Sequence, residues 1–292
     1  MVGGTYQEDD MHVLVNGVRL FVEVLSPKFR PEGPRMREVP TVLALHGGPF
    51  DHAHMRDWVA PLTDIAQVIL YDHRGCGRSE AGDRKLWTMA QWGDDVKGLC
   101  DVLGLEKPIV VGCSFGSFVA QSYAGRHPDH ASKLVFMVAG ARHNDAWSTE
   151  GFRRQGGDEA AEAYAAAARD TNPQTIANFM AKCRHLYNVR RVVDADEAAR
   201  GVVNQQLLID YFARESKTFD LRPGLSRVRV PVMVLGGEED PIMPPPFQEE
   251  TARALVNAPV TRHSFPKAGH QLPGDVPEAY FKAMRAFIPA SP

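Results

Sequence analysis

The sequence predicts an α/β fold, a mostly parallel sheet flanked by helices and interrupted by a helical insertion. Three observations predict it. Short apolar runs alternate with segments of helical periodicity at both ends of the chain, the order that builds βαβ units. Those runs are continuously apolar rather than alternating, as expected of parallel strands buried on both faces. Between about Ala141 and Leu225 the alternation stops, and the chain reads as polar, Ala-rich helix.

The elements follow in order. Met11–Val15 and Val18–Leu25 flank Asn16-Gly17, a pair suited to the two positive-φ positions of a type I′ turn, so a β-hairpin is expected first. Residues Pro27–Glu38 read as a loop rich in Pro, Arg and Glu. Val42–Leu45 is a buried strand ending at His46-Gly47-Gly48-Pro49, and Asp57–Ala66 looks like a short helix. A strand at Val68–Tyr71 runs into Asp72-His73-Arg74-Gly75. Met89–Leu103 carries apolar residues at helical spacing. Ile109–Val111 is a strand, Phe115–Arg126 a helix and Leu134–Val138 a strand. After the insertion come strands at Val230–Leu235 and Val260–Phe265, and a helix at Glu278–Ile288. The expected division is a core of residues 1–140 and 226–292 and a helical cap of residues 141–225.

Composition narrows the class of protein. Of 292 residues, 44% are hydrophobic and 24% charged, with a formal net charge of -3, as in ordinary globular proteins. Neither a nucleic-acid nor a membrane-surface partner is indicated, because both require concentrated positive charge. No run approaches the roughly 20 apolar residues of a membrane span. The acidic N-terminal stretch does not read as a secretory signal. Cys76, Cys100, Cys113 and Cys183 are scattered without metal-ligand spacing, and free thiols in a reducing, cytoplasmic compartment are expected.

The chemistry concentrates at three places. Gly112-Cys113-Ser114-Phe115-Gly116 matches G-x-S-x-G with a strand before it and a helix after it. The serine is then held on a sharp turn at a helix N-terminus, where free N–H groups favour a nearby anion. A serine hydroxyl needs a base, and in α/β-hydrolases the order is Ser, then Asp or Glu, then His. Asp240, in Gly236-Gly237-Glu238-Glu239-Asp240-Pro241, and His270, in Ala268-Gly269-His270, supply both after predicted strands. Glu238 and Glu239 compete for the acid role, and His263 lies inside a strand. Cys113 beside the serine is a rival nucleophile. The third place is His46-Gly47-Gly48-Pro49. An oxyanion is stabilised by two aimed backbone N–H groups. Phe115 should supply one and Gly48 the other, since Pro49 has none. A metal site at His46, His52, His54 and His73 is the rival reading, but the spacing matches no helical His pair.

Together, His46-Gly47-Gly48-Pro49, Asp72-His73-Arg74-Gly75-Cys76-Gly77-Arg78-Ser79 and Gly112-Cys113-Ser114-Phe115-Gly116-Ser117 resemble the motif set of the proline iminopeptidase family of α/β-hydrolases. The resemblance spans both α/β halves. It implies a mostly parallel eight-stranded sheet, a helical cap, no cofactor, a triad of Ser114, Asp240 and His270, and oxyanion donors at Gly48 and Phe115. The sequence departs from the family at several positions. His73 stands for the usual glutamine, Phe50 for glycine and Phe115 for tryptophan. In the cap, Leu208 stands where a glutamate that would hold the substrate ammonium is expected. Asp210, Glu197 and Glu215 are substitutes out of the matched place.

The functional expectation is a serine hydrolase cleaving a small ester, lactone or amide through an acyl-enzyme. The alternatives are a proline iminopeptidase-type aminopeptidase, a C–C bond hydrolase and a non-catalytic ligand-binding member of the fold. The expected partner is a small molecule or short peptide.

Overall fold

The computed structural model describes residues 11–190 and 202–289. Two antiparallel strands, β1 (Met11–Val15) and β2 (Val18–Val24), open the chain. Their turn residues Asn16 and Gly17 have φ of 45° and 82°, the left-handed geometry expected of Asn-Gly. The segment read as a loop instead forms a second hairpin, β3 (Phe29–Glu32) with β4 (Arg35–Glu38). Its strands are largely exposed and charged, so hydrophobic alternation is missing as a signal.

The remaining strands are β5 (Thr41–Leu45), β6 (Gln67–Tyr71), β7 (Ile109–Cys113), β8 (Lys133–Met137), β9 (Val232–Gly237) and β10 (Val260–Phe265). With β1 and β2 they make an eight-stranded sheet in the order β1-β2-β6-β5-β7-β8-β9-β10. From β6 to β10 every neighbouring pair is parallel. Strands β5, β7 and β9 are buried at every position, as strands covered on both faces must be.

Helix α1 (Ala53–Val59) starts earlier than the sequence suggests and gives way at Pro61 to a short 3₁₀ turn, Ala60–Leu62. Next come α2 (Met89–Val102) and α3 (Phe115–Arg126). The middle of the chain holds α4 (Asp145–Arg169), α5 (Pro173–Cys183), α6 (Gln205–Ala213) and the short α7 (Arg222–Leu225). Asparagines cap three of them: Asn144, Asn172 and Asn204 each accept backbone N–H groups of the first turn. Gly157, at φ 73°, kinks α4. Helices α8 (Pro245–Ala254), α9 (Leu272–Asp275) and α10 (Pro277–Phe287) complete the chain.

One apolar core fills each face of the sheet. Trp92, Phe118 and Tyr123 lead one, under α2 and α3; Trp58, Tyr280 and Met284 lead the other, under α1 and α10. A third cluster, around Phe152, Tyr164 and Cys183 of α4 and α5, is packed against by Leu186, Tyr187 and Ile242. No helix among the described residues is long and apolar enough to cross a membrane.

Candidate active site

Sheet register brings the chemistry together. Leu45 lies opposite Gly112, so the loop leaving β5 and the turn leaving β7 emerge side by side. Ser114 occupies that turn with φ 52° and ψ -116°, a conformation costly for any residue bearing a Cβ. Two glycines make the turn possible. A Cβ on Gly112 would lie 2.3 Å from the Gly116 carbonyl oxygen, and one on Gly116 would lie 2.2 Å from that of Leu45. The backbone N–H of Ser114 donates to Met137 O at 2.9 Å, anchoring the turn to β8.

Similar packing joins the loops after β9 and β10. Gly237 pairs with Phe265, and the N–H groups of Glu238 and Glu239 donate to Phe265 O and Ala268 O. A Cβ on Gly237 would meet Ala268 O at 2.1 Å. Asp240 and His270 therefore face each other. His270 Nδ1 lies 2.8 Å from Asp240 Oδ2, while the other carboxylate oxygen accepts from Ile242 N (3.0 Å) and Met243 N (2.9 Å). Asp240 is fully buried and His270 nearly so. Of the competing acids, Glu238 is exposed and Glu239 accepts from Gln155. His263 lies within β10.

Ser114 and His270 line one cavity of about 430 Å³. No hydrogen bond joins Ser114 Oγ to His270 among the described residues; in unliganded sites such bonds are often long and tighten with substrate. Gly48 and Phe115 line the same cavity. The Phe115 N–H is in the first turn of α3, where helical N–H groups have no intrahelical acceptor. Gly48 has φ 54°, and a Cβ there would strike the Phe50 ring at 2.3 Å. The phenylalanine that departs from the family pattern thus folds directly over this glycine.

Behind the loop, two histidines have fixed tautomers. His73 Nε2 lies 3.2 Å from His46 O, which can only accept, so Nε2 carries the hydrogen and Nδ1 accepts from the Tyr71 hydroxyl at 2.8 Å. His46 Nε2 accepts the His73 N–H at 3.1 Å, and its Nδ1 lies 3.1 Å from Gly47 O. Burial lowers the pKa of both, that of His73 well below the usual value. His52 instead bonds Asp72 Oδ1 through its ring and its backbone N–H. No cluster of three or more metal-ligating side chains occurs among the described residues. The four thiols are unpaired and buried, and burial pushes the Cys113 thiol well above its usual range, with the charge of Asp240 adding to it. Cys113 is thus a poor thiolate source.

The Arg-Gly-Cys-Gly-Arg-Ser run folds around Asp72. Its Oδ2 accepts the Arg78 N–H at 2.8 Å, and Gly77 is required because a Cβ there would lie 2.2 Å from that oxygen. Burial works to raise the Asp72 pKa, but the bond from His52, the His46 ring and the Arg78 N–H outweigh it and lower it.

The far wall of the cavity comes from α4, α5 and α6, through residues such as Ala168, Ile176, Phe179 and Leu208. Leu208 lines the cavity where the family resemblance calls for a glutamate. The substitutes are engaged elsewhere. Asp210 is bidentate to Arg84 at 2.7–2.9 Å, and Glu215 accepts the Met89 N–H at the start of α2 at 2.6 Å. Glu197 lies outside the described residues. Among the described residues the lining holds one carboxylate, Asp145, which accepts from the Tyr164 hydroxyl at 3.2 Å, and two cations, Arg184 and Lys217. Sequence reasoning missed a polar pair on this wall. His143 Nε2 lies 2.8 Å from the Tyr211 hydroxyl, and burial lowers the histidine pKa to about 4. No motif marks either residue.

Comparison with known proteins agrees with the fold. The family model described as the alpha/beta hydrolase fold matches residues 40–275. The proline iminopeptidase PfmaB of Pestalotiopsis fici is 26% identical over 263 residues, covering 84% of this chain and 88% of its own. A proline iminopeptidase structure from Mycobacterium smegmatis superposes with a TM-score of 0.73 at 23% identity, covering 95% of this chain and 97% of that one. An enol-lactonase from Burkholderia xenovorans LB400 superposes at 0.66 with 22% identity, covering 95% and 99%.

Proposed function

The chain belongs to the α/β-hydrolase fold family, and from that premise we propose that it is a serine hydrolase acting on a small, uncharged ester or lactone. The observation carrying this reading is that His270, paired with Asp240, lines the same mostly apolar cavity as Ser114. In the proposed reaction His270 Nε2 takes the Ser114 hydroxyl proton as Oγ bonds to the substrate carbonyl carbon. Asp240 holds the Nδ1–H tautomer and stabilises the imidazolium. The Gly48 and Phe115 N–H groups receive the oxyanion. Collapse expels the leaving group with the proton from His270, leaving an acyl-Ser114. Water, deprotonated by His270, then releases the acid and restores Ser114. In this reading residues 141–225 are a cap that walls the cavity and excludes water, and residues 1–140 and 226–292 are the core. The four reduced thiols support a cytoplasmic location, which cell fractionation would check.

Substrate charge separates the two hydrolase readings. An aminopeptidase must hold an ammonium group, and the expected cap position is Leu208. Asp145, which lines the cavity, favours a peptidase, as do the relatives described as proline iminopeptidases. Short acyl esters, a lactone, a prolyl arylamide and its N-acetylated form should be assayed against wild type and Ser114→Ala. Ester or lactone turnover that vanishes in Ser114→Ala is expected. Cleavage confined to the free-amine prolyl arylamide would replace this reading with the aminopeptidase and direct attention to Asp145.

A further inference from the structure

The loop that carries His270 is held by a carboxylate outside the triad. Asp275, in α9, is fully buried and accepts backbone N–H groups from two distant parts of the chain. Its Oδ2 accepts from Gly269 at 2.7 Å, the residue before the histidine. Its Oδ1 accepts from Val189 (2.9 Å) and Arg190 (2.8 Å), which follow α5. The same two segments meet directly, because the His270 N–H donates to Tyr187 O at 2.8 Å. The approach is so close that a Cβ on Gly269 would lie 2.3 Å from that carbonyl oxygen. The Tyr187 ring also packs edge-on against the His270 imidazole, 5.4 Å between centroids.

A comparable link serves the other side of the site. Asp51, just beyond the Gly48 loop, accepts the Val202 N–H at 3.0 Å, and Pro49 O accepts from Asn204 N at 3.2 Å. Thus the segment Tyr187–Arg190 grips the loop of the histidine, and the segment Val202–Asn204 grips the loop of Gly48.

We propose that Asp275 is a positioning residue that couples His270 to the middle segment of the chain: the base is set for Ser114 only while Tyr187–Arg190 is docked on Asp275. This inference rests on the reading of His270 as the base. The physical reason is that a buried carboxylate must have its hydrogen bonds satisfied. If Tyr187–Arg190 lifts away, Asp275 loses two of its three donors and His270 loses the acceptor of its backbone N–H. The loop of the base then relaxes with the segment. Productive geometry and docking of this wall become one event, so the base is not held against Ser114 when the wall is open.

Asp275→Asn keeps the shape but places an NH₂ group against a backbone N–H. It should lower kcat for the preferred ester by roughly 10–100-fold, the cost of a misplaced catalytic group, with KM changed less than about twofold. Labelling of Ser114 by a fluorophosphonate should slow by the same factor. A role in stability alone would lower the urea midpoint and leave these rates near wild type in the folded protein, and that result would overturn the proposal. Amide hydrogen exchange in the wild-type protein tests it without any variant. Gly269, Val189 and Arg190 should exchange through one opening, at matched protection; Gly269 staying protected while Val189 and Arg190 exchange fast would sink it. Absence of Ser114-dependent labelling in wild type would instead overturn the hydrolase reading, and the exchange experiment would still decide the coupling.

Discussion

At the scale of single residues, much of the site is built by what is missing from a side chain. Gly112, Gly116 and Gly237 each stand where a Cβ would lie 2.1–2.3 Å from a backbone carbonyl oxygen. Backbone cannot yield as the end of a side chain can. Gly116→Ala should therefore move α3 off β5 and cost about 1–3 kcal/mol, the usual penalty for overpacking. Thermal or urea unfolding reads the loss, and an unchanged midpoint would contradict this account of the turn. Gly48 differs, because its obstacle is the Phe50 ring. Its positive φ nevertheless disfavours any other residue there. The glycine pattern was visible in the sequence around Ser114. Gly237 was equally visible but carried no signal, since its obstacle comes from Ala268, about 30 residues away.

Elements are tied to one another by buried polar groups as much as by apolar contact. Arg74, in the loop after β6, is bidentate to Asp95 of α2 at 2.7 and 2.8 Å, and both side chains are 1% exposed. Asp95 also accepts from Asn16 at the β1–β2 turn and from Gln91. One carboxylate thus joins the first hairpin, the loop after β6 and a helix. Removing it leaves a buried guanidinium uncompensated, so Asp95→Ala should cost about 3–5 kcal/mol. The double change Arg74→Met with Asp95→Leu should cost less than Asp95→Ala alone. A double change as damaging as the single one would show that apolar replacement cannot substitute for the pair. Periodicity predicted α2 and the strands from their own residues. It could not predict the β3–β4 hairpin, whose exposed, charged strands follow no pattern.

For the whole molecule, several histidines are kept neutral by burial. The pKa of His143 is lowered to about 4 from 6.5, and those of His46 and His73 are lowered as well. The unfolded chain protonates these rings near 6.5, whereas the folded protein does not. Below that pH the unfolded state binds more protons, so stability must fall with pH. For His143 the loss starts near pH 6.5 and is complete near pH 4. Urea midpoints measured from pH 7 to pH 4 should decline, and His143→Gln should flatten part of that slope. An identical slope in the variant would mean that His143 is not the titrating group. The same burial keeps the His143 ring uncharged on the cavity wall, so this side chain presents no charge to a substrate.

The sequence by itself determined the α/β class, the strands that build the sheet, and the local motifs around Ser114, Asp240 and His270. These are short-range properties: apolar runs, turn glycines and the order of residues along the chain report them directly. Only the tertiary structure decided which carboxylate meets His270, with Asp240 at 2.8 Å while Glu239 bonds Gln155. It also decided that Asp210 and Glu215 are engaged away from the cavity, that His143 and Tyr211 pair on its wall, and that Asp275 ties the loop of His270 to Val189 and Arg190. Each of these depends on residues tens of positions apart meeting in space. A side chain's partner and burial, and hence its charge, are set by that packing and not by its neighbours in sequence.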